Sequence, residues 1–236
     1  MNPLVVVTGG TKGIGKALVE RFLGEGFDVI TCSRSDNDLR TLEKEMSERF
    51  DNTRLFYQVA DLSLKEDLAA FIDFISSKNQ FAEVLINNTG VFIPGQIHNE
   101  TEGTLEKTIE TNLYSAYHLT RALVPAMMEQ KKGHIFTICS TASIMAYPNG
   151  GSYCISKFAL LGMTKVLREE MKPHQVKVTA VLPGATFTDS WKGTDLPEDR
   201  FMDAKDVADT IWAAYTLSPR AVMEEILIRP QLGDLD

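Results

Sequence analysis

Tyr153 and Lys157 stand four residues apart in the stretch Ser152-Tyr153-Cys154-Ile155-Ser156-Lys157. On a helix that spacing puts both side chains on one face, one turn apart. An ammonium beside a phenol favours the phenolate. The pair is therefore expected to bring the Tyr153 pKa down from the ordinary value of about 10. A phenol tuned in this way can serve as a general acid or base. An interfacial Tyr beside a solvated Lys has the same spacing, so the pair takes its meaning from the elements around it.

Those elements begin with Leu4 to Thr8 (LVVVT), a continuous apolar, β-branched run of the kind found in strands covered on both faces. Gly9-Gly10-Thr11-Lys12-Gly13-Ile14-Gly15 follows. A helix then runs to about Glu25, with Ile14, Ala17, Leu18 and Phe22 at helical spacing. Backbone N–H groups and a helix N-terminus in that arrangement attract a diphosphate. The spacing G-x-x-x-G-x-G is not G-x-G-x-x-G, and it is not a P-loop, since no G-K-[ST] follows. Phe27 to Cys32 reads as the second strand, with Ser33-Arg34 at its end. A carboxylate there would accept bonds from the ribose hydroxyls of NAD, whereas a basic group accommodates the 2′-phosphate of NADP. Arg34, with Lys12 in the turn as a second cation, points to NADP(H). The plainer alternative is two solvated surface cations. Asp36 reads as the N-cap of a helix over about 37–49.

Leu55 to Val59 is a third strand, ending at Ala60-Asp61-Leu62. Asp61 either reaches an adenine amino group or caps the next helix, at about 64–77. Glu83 to Ile86 is the fourth strand, ending in Asn87-Asn88-Thr89-Gly90. A loop over 91–103 leads to a helix over about 104–130 that contains Asn112. Gly133 to Cys139 forms the fifth strand, with Ser140 at its end, and the helix over about 152–171 carries Tyr153 and Lys157. Val176 to Leu182 ends in Pro183-Gly184. A loop over 185–202 holds Trp191, a helix spans about 203–217, and Val222 to Ile228 is the last strand. This alternation predicts an α/β, single-domain Rossmann fold over 1–236, with a doubly wound, mostly parallel, seven-stranded sheet. The 9–15 turn, Ser33-Arg34, Asp61, 87–90, Ser140 and Pro183-Gly184 each fall just after a strand, where open α/β sheets form their ligand crevice. The helix over 152–171 is apolar round most of its circumference (Phe158, Leu160, Leu161, Met163, Val166, Leu167). It must be buried on more than one side: the sheet on one, a partner subunit on the other.

The 236 residues are 44% hydrophobic and 24% charged, the composition of an ordinary globular chain. A net charge of −8 argues against non-specific binding to nucleic acid or an anionic membrane. No apolar run reaches the roughly 20 residues of a membrane span. The start Met-Asn-Pro has no basic segment or small-residue cleavage site, so no signal peptide is expected. Cys32, Cys139 and Cys154 form no C-x-x-C pair. They read as small buried hydrophobes in a reducing cytoplasm rather than as redox groups or a disulfide framework. His98, His118, His134 and His174 lack ligand spacing, and no metal site is expected.

Taken together these motifs resemble the short-chain dehydrogenase/reductase family in its compact form, over essentially the whole chain. Thr8-Gly9-x-x-x-Gly13-x-Gly15 looks like the family's cofactor turn. Asn87-Asn88-Thr89-Gly90 looks like its N-N-A-G element, with Thr89 where Ala is usual, a departure that bears on packing near the nicotinamide. Asn112, Ser140, Tyr153 and Lys157 match its catalytic tetrad, with Ser140 thirteen residues before Tyr153. Pro183-Gly184 with Thr186 and Thr188 resembles its nicotinamide-contacting region. The resemblance implies that NADPH delivers a hydride to a carbonyl carbon and that Ser140 donates a hydrogen bond to the carbonyl oxygen. Tyr153 acts as the general acid. Lys157 lowers the Tyr153 pKa and binds the nicotinamide ribose, and Asn112 holds a water in a proton relay. It also implies cofactor contacts from Gly9, Thr11, Lys12, Gly13, Ile14, Gly15, Ser33, Arg34, Asp61, Leu62, Asn88, Gly90, Tyr153, Lys157, Pro183, Gly184, Thr186 and Thr188.

The stretch from Val222 to Pro230 with Gly233-Asp234, the helix start at 152–158 and the 183–191 segment look like bacterial sepiapterin-reductase-like members, which reduce pterin side-chain ketones or other vicinal dicarbonyls. Trp191 then either stacks on a flat substrate or serves as an apolar lid residue, in a loop expected to move over the substrate. A 3-oxoacyl-[acyl-carrier-protein] reductase would share the chemistry but needs a basic docking surface that the sequence does not advertise. A non-catalytic NADP-sensing protein on the same fold would be expected to lack the Tyr or the Lys. A homodimer or homotetramer through the helices around 104–130 and 152–171 is expected.

Overall fold

The computed structural model describes residues 2–52, 54–188 and 193–234. Trp191 lies outside them. Seven strands, β1 (Leu4–Thr8), β2 (Asp28–Ser33), β3 (Leu55–Val59), β4 (Ala82–Asn87), β5 (His134–Ile138), β6 (Lys177–Pro183) and β7 (Glu225–Ile228), form one sheet in the order β3-β2-β1-β4-β5-β6-β7. Every pairing in it is parallel. The helices are α1 (Gly13–Gly24), α2 (Asp36–Ser47), α3 (Lys65–Ser76), α4 (Thr104–Ile109), α5 (Ser115–Gln130), α6 (Gly151–Met171) and α7 (Ala204–Tyr215).

The apolar strands are buried on both faces, as their sequences require. Val5, Val7, Val84, Ile86, Phe136 and Val181 pack under α1 and α7, with Leu18, Phe22, Val207 and Ile211. On the other face Leu4, Val6, Ile30, Leu85 and Ile135 meet Leu68 and Phe71 of α3 and Leu119, Leu123 and Met127 of α5. Chain order reverses between β1 and β4, and the crevice opens outside their carboxyl ends.

Four local expectations are corrected. Ser35, not Asp36, caps α2, its hydroxyl accepting from the Asp38 N–H at 3.2 Å. Asp36 lies one residue inside, and its carboxylate accepts from Arg40 one turn on at 2.7 Å. Asp61 caps no helix: it accepts from the Ser63 N–H and hydroxyl at 3.1 and 2.7 Å, which closes a turn ahead of α3. The helix expected over 104–130 is broken by a π-turn at Glu110–Tyr114, where the Ser115 N–H reaches the Glu110 carbonyl five residues back. The last strand starts at Glu225 rather than Val222.

Candidate active site

The π-turn places Asn112, which is fully buried. Its Oδ1 accepts from the Val91 N–H at 2.7 Å. Its Nδ2 donates to the Val91 carbonyl at 3.0 Å and to Ser156 Oγ at 2.9 Å. Asn112 thus clamps the strand-end segment after Gly90 to the helix that carries Tyr153. The widened turn supplies the reach, since π-turns re-aim one residue of an otherwise regular helix. Ser156 hands the connection on, its hydroxyl donating to the Tyr153 carbonyl at 2.7 Å.

Ser140 follows β5 and caps the short turn Thr141–Ser143. Its Oγ accepts from the Ala142 N–H at 3.1 Å, and the Ser143 hydroxyl accepts from the Ser140 N–H at 3.2 Å. This reciprocal cap fixes the Ser140 hydroxyl, which acts on the Tyr153 phenol to lower its pKa. The partner Ser143 was not foreseen, although the S-x-x-S spacing resembles a capping box. The Phe92 ring stands edge-on to Tyr153, with centroids 5.0 Å apart. The loop over 91–103 is tied to the start of α6 as well: Glu100 Oε1 accepts from the Ser152 N–H at 2.8 Å, and its other oxygen accepts from the Ser152 hydroxyl. A carboxylate at a helix N-terminus is favourably placed against the helix dipole.

The expected electrostatics of Tyr153 and Lys157 are corrected. Lys157 lies 5.8 Å from the Tyr153 ring centroid, is 4% exposed, and donates to the Ile138 carbonyl at 2.8 Å. Burial pushes the Lys157 pKa down to about 8. Burial also pushes the Tyr153 pKa up, against the hydrogen bond from Ser140, which lowers it. Desolvation of the phenolate outweighs the favourable interaction with Ser140. Tyr153 is therefore protonated at neutral pH, the form a general acid requires.

The Gly-rich turn is held by the ends of β2 and β4. Thr11 donates to Ser33 Oγ at 3.2 Å, so the turn and the end of β2 face one space. Gly13 has φ +51°, and a Cβ on it would lie 2.8 Å from the Thr188 methyl. A Cβ on Gly15 would lie 2.1 Å from the Gly9 carbonyl. Both glycines keep the backbone close enough to cradle a phosphate. Asn88 holds the turn to β4, donating from Nδ2 to the Thr8 and Gly9 carbonyls at 2.8 and 3.2 Å. Thr89 donates its N–H to Thr8 Oγ1 at 2.9 Å. Its own hydroxyl lies 3.2 Å from where a Gly9 Cβ would stand. A Cβ on Gly90 would lie 3.5 Å from both Asn112 Oδ1 and Lys157 Nζ, so Gly90 borders the tetrad.

Arg34 is exposed at the end of β2. Lys12 is exposed too and pairs with Asp38 at 2.9 Å. Leu62 is a core residue, and Ile14, in the first turn of α1, is partly buried against the core. Pro183 ends β6 and is buried, Gly184 donates to the Ile228 carbonyl at 2.8 Å, and buried Thr186 donates to the Gly184 carbonyl at 3.1 Å. The loop 185–202 is pinned at its base, where Phe187 and Met202 exchange backbone bonds with Met202 and Ala185 at 2.9 and 3.0 Å.

The cysteines are buried and unpaired. Burial pushes Cys32 up to about 12 and Cys139 up to about 11, so both stay protonated and unreactive. Among the described residues there is no cluster suited to a metal ion, and no helix is long and apolar enough to cross a membrane.

A parallel sheet with this strand order and a glycine turn at its switch point is the Rossmann-type architecture of dinucleotide-handling oxidoreductases. The chain belongs to the short chain dehydrogenase family, whose model matches residues 3–199. It is 32% identical to a sepiapterin reductase of Chlorobaculum tepidum, in an alignment covering 100% of this chain and 99% of that one. Among solved structures it resembles a metagenomic short-chain oxidoreductase in complex with NADP, with 30% identity, 97% of each chain covered and a TM-score of 0.84. It also resembles a short-chain dehydrogenase from Sphingobium yanoikuyae in complex with NADPH, with 26% identity, 98% and 88% of the two chains covered and a TM-score of 0.84. The protein is an oxidoreductase of this family.

Proposed function

We propose that the protein is an NADPH-dependent carbonyl reductase acting on ketones with a second carbonyl alongside, sepiapterin-like pterins among them. The observation that carries this reading is the meeting of Ser140, Tyr153, Lys157 and the Asn112 clamp at the carboxyl ends of β4 and β5, beside a glycine cradle. The cradle fits a dinucleotide diphosphate, with Ser33, Arg34 and Lys12 near the 2′-phosphate and Asp61 near the adenine. The Gly90, Pro183–Gly184, Thr186 and Thr188 segments take the nicotinamide end. Bound there, NADPH supplies the hydride.

The chain's own groups do the rest. Ser140 donates a hydrogen bond to the substrate carbonyl oxygen, where negative charge develops. Tyr153 gives that oxygen its proton, which its raised pKa keeps in place until the alkoxide, a much stronger base, demands it. Lys157, with a pKa near 8, holds an exchangeable proton behind Tyr153. Asn112 positions the helix and orders a water between Lys157 and solvent. Exposed Phe92 and half-exposed Tyr147 offer aromatic walls to a flat dicarbonyl. Similarity to a sepiapterin reductase over the whole chain supports the same substrate class.

The test is NADPH consumption with sepiapterin or a simple vicinal diketone, beside Tyr153→Phe. Turnover in the wild type, lost in the variant with NADPH still bound, supports the reading. Turnover of 3-oxoacyl thioesters alone would move the substrate class. Absence of both turnover and NADPH binding would return the non-catalytic alternative.

The reading includes a cytoplasmic homodimer or homotetramer through α4–α5 and α6. Leu105, Tyr114, Tyr117, Ile155, Phe158 and Val166 leave apolar surface on these helices, and the buried free thiols suit a reducing compartment. A mass above the monomer by light scattering at micromolar concentration is expected, and a strictly monomeric mass would overturn it.

A further inference from the structure

At the amino ends of β5 and β6, the opposite end of the sheet from Ser140 and Gly184, lies a cavity of about 1010 Å³. Its lining includes Lys131, Lys132, Arg168, Lys172, Lys177 and Arg220. For a chain of net charge −8 this is a concentration of the minority sign. Glu83, the carboxylate of the lining, is already engaged, as are Glu224 and Glu169. Glu83 pairs with Lys132 at 2.8 Å and accepts from the Tyr215 hydroxyl at 2.6 Å. Glu224 pairs with Arg168 at 3.0 Å, and Glu169 with Lys172. Lys177 donates to the carbonyls of Leu217 and Ser218, both at 2.9 Å. Among the described residues Lys131 and Arg220 have no ion pair. Three charges of six are therefore uncompensated by carboxylates.

Two polar atoms of lining residues also lack partners. Arg168 Nε is a buried donor with no acceptor. His134 Nε2 bonds Thr179 Oγ1 at 2.8 Å, and that hydroxyl donates to the Met223 carbonyl at 2.6 Å. The imidazole must then carry its proton on Nε2, which leaves Nδ1 as a buried acceptor without a donor. Unmet buried polar atoms cost about 1–3 kcal/mol each. None of these groups serves the hydride chemistry.

We infer that this cavity is a second ligand site, for a phosphorylated small molecule of nucleotide size that also carries a hydroxyl or amine donor. A phosphate engages the lysine and arginine donors together. A donor on the same ligand answers the histidine acceptor. The volume stands at the upper end of the roughly 300–1,000 Å³ of small-molecule pockets, which suits a compact polyanion of nucleotide size.

The test is calorimetric titration of ADP, with and without saturating NADPH, into the wild type and a Lys131→Asn/Arg220→Gln double variant. Asn suits position 131, where φ is +48°. The expected result is a saturable event that persists with NADPH present and weakens at least tenfold in the double variant, whose NADPH affinity is unchanged. No event at millimolar ADP would overturn the inference. So would an event abolished by NADPH, equal affinity in the double variant, or binding of polyglutamate as tight as that of ADP.

Discussion

Replacing Asn112 by Ala should cost stability as well as activity. The side chain makes three hydrogen bonds in a fully buried position: two to the Val91 backbone and one to Ser156. At about 1 kcal/mol net each, their loss amounts to about 3 kcal/mol, and the Val91 N–H and carbonyl are left to find other partners. Ala cannot restore the clamp, so the segment from Gly90 to Phe92 should part from α6 and carry the Phe92–Tyr153 contact with it. Urea unfolding of the purified proteins without coenzyme is the assay, with Ser156→Ala, which removes the bond from Asn112 and the bond to the Tyr153 carbonyl, as the comparison at about 2 kcal/mol. Turnover should fall in the same variant through KM and kcat together. A loss below about 1 kcal/mol for Asn112→Ala, with unchanged turnover, would refute the claim that this amide organises the site.

Lys157→Met tests the buried ammonium. A lysine whose folded pKa is about 8 rather than 10.5 binds fewer protons folded than unfolded, so folding is favoured as pH rises through that window. The wild type should gain about 3 kcal/mol on the Met variant between pH 8 and 10.5, at 1.36 kcal/mol per pKa unit; a flat difference across that range would refute the shift. Arg34→Asp should lower kcat/KM with NADPH and raise it with NADH, about tenfold in ratio or more, since a carboxylate at the end of β2 repels a 2′-phosphate and accepts from a ribose hydroxyl. An unchanged coenzyme ratio in steady-state kinetics would remove Arg34 from the site.

Much of the molecule was legible in the sequence because its signals are local. LVVVT, EVLI and the run before Pro183 are strands because β-branched apolar stretches need cover on both faces. The glycine turn and the strand-end positions of Asn88, Ser140 and Gly184 then follow from chain order alone. Boundaries were less legible where two residues could play one part: Ser35 and Asp36 are both good caps, and only the backbone bond from Asp38 decides between them.

The sequence by itself determined the element order and the parallel architecture, since periodicity and spacing are properties of neighbours in the chain, while the choice of Asn112, Ser140, Tyr153 and Lys157 came from resemblance to a family's motifs. Tertiary structure alone decided what those residues do to one another. The π-turn that aims Asn112, the cap that Ser143 gives Ser140 and the tie from Glu100 to α6 all depend on partners distant in sequence or on a local break in helical regularity. The Tyr153–Lys157 pair makes the point most directly. Spacing put them on one face and suggested a lowered phenol, but burial raises Tyr153 and lowers Lys157. Desolvation depends on everything packed around a group, and no spacing rule carries that information.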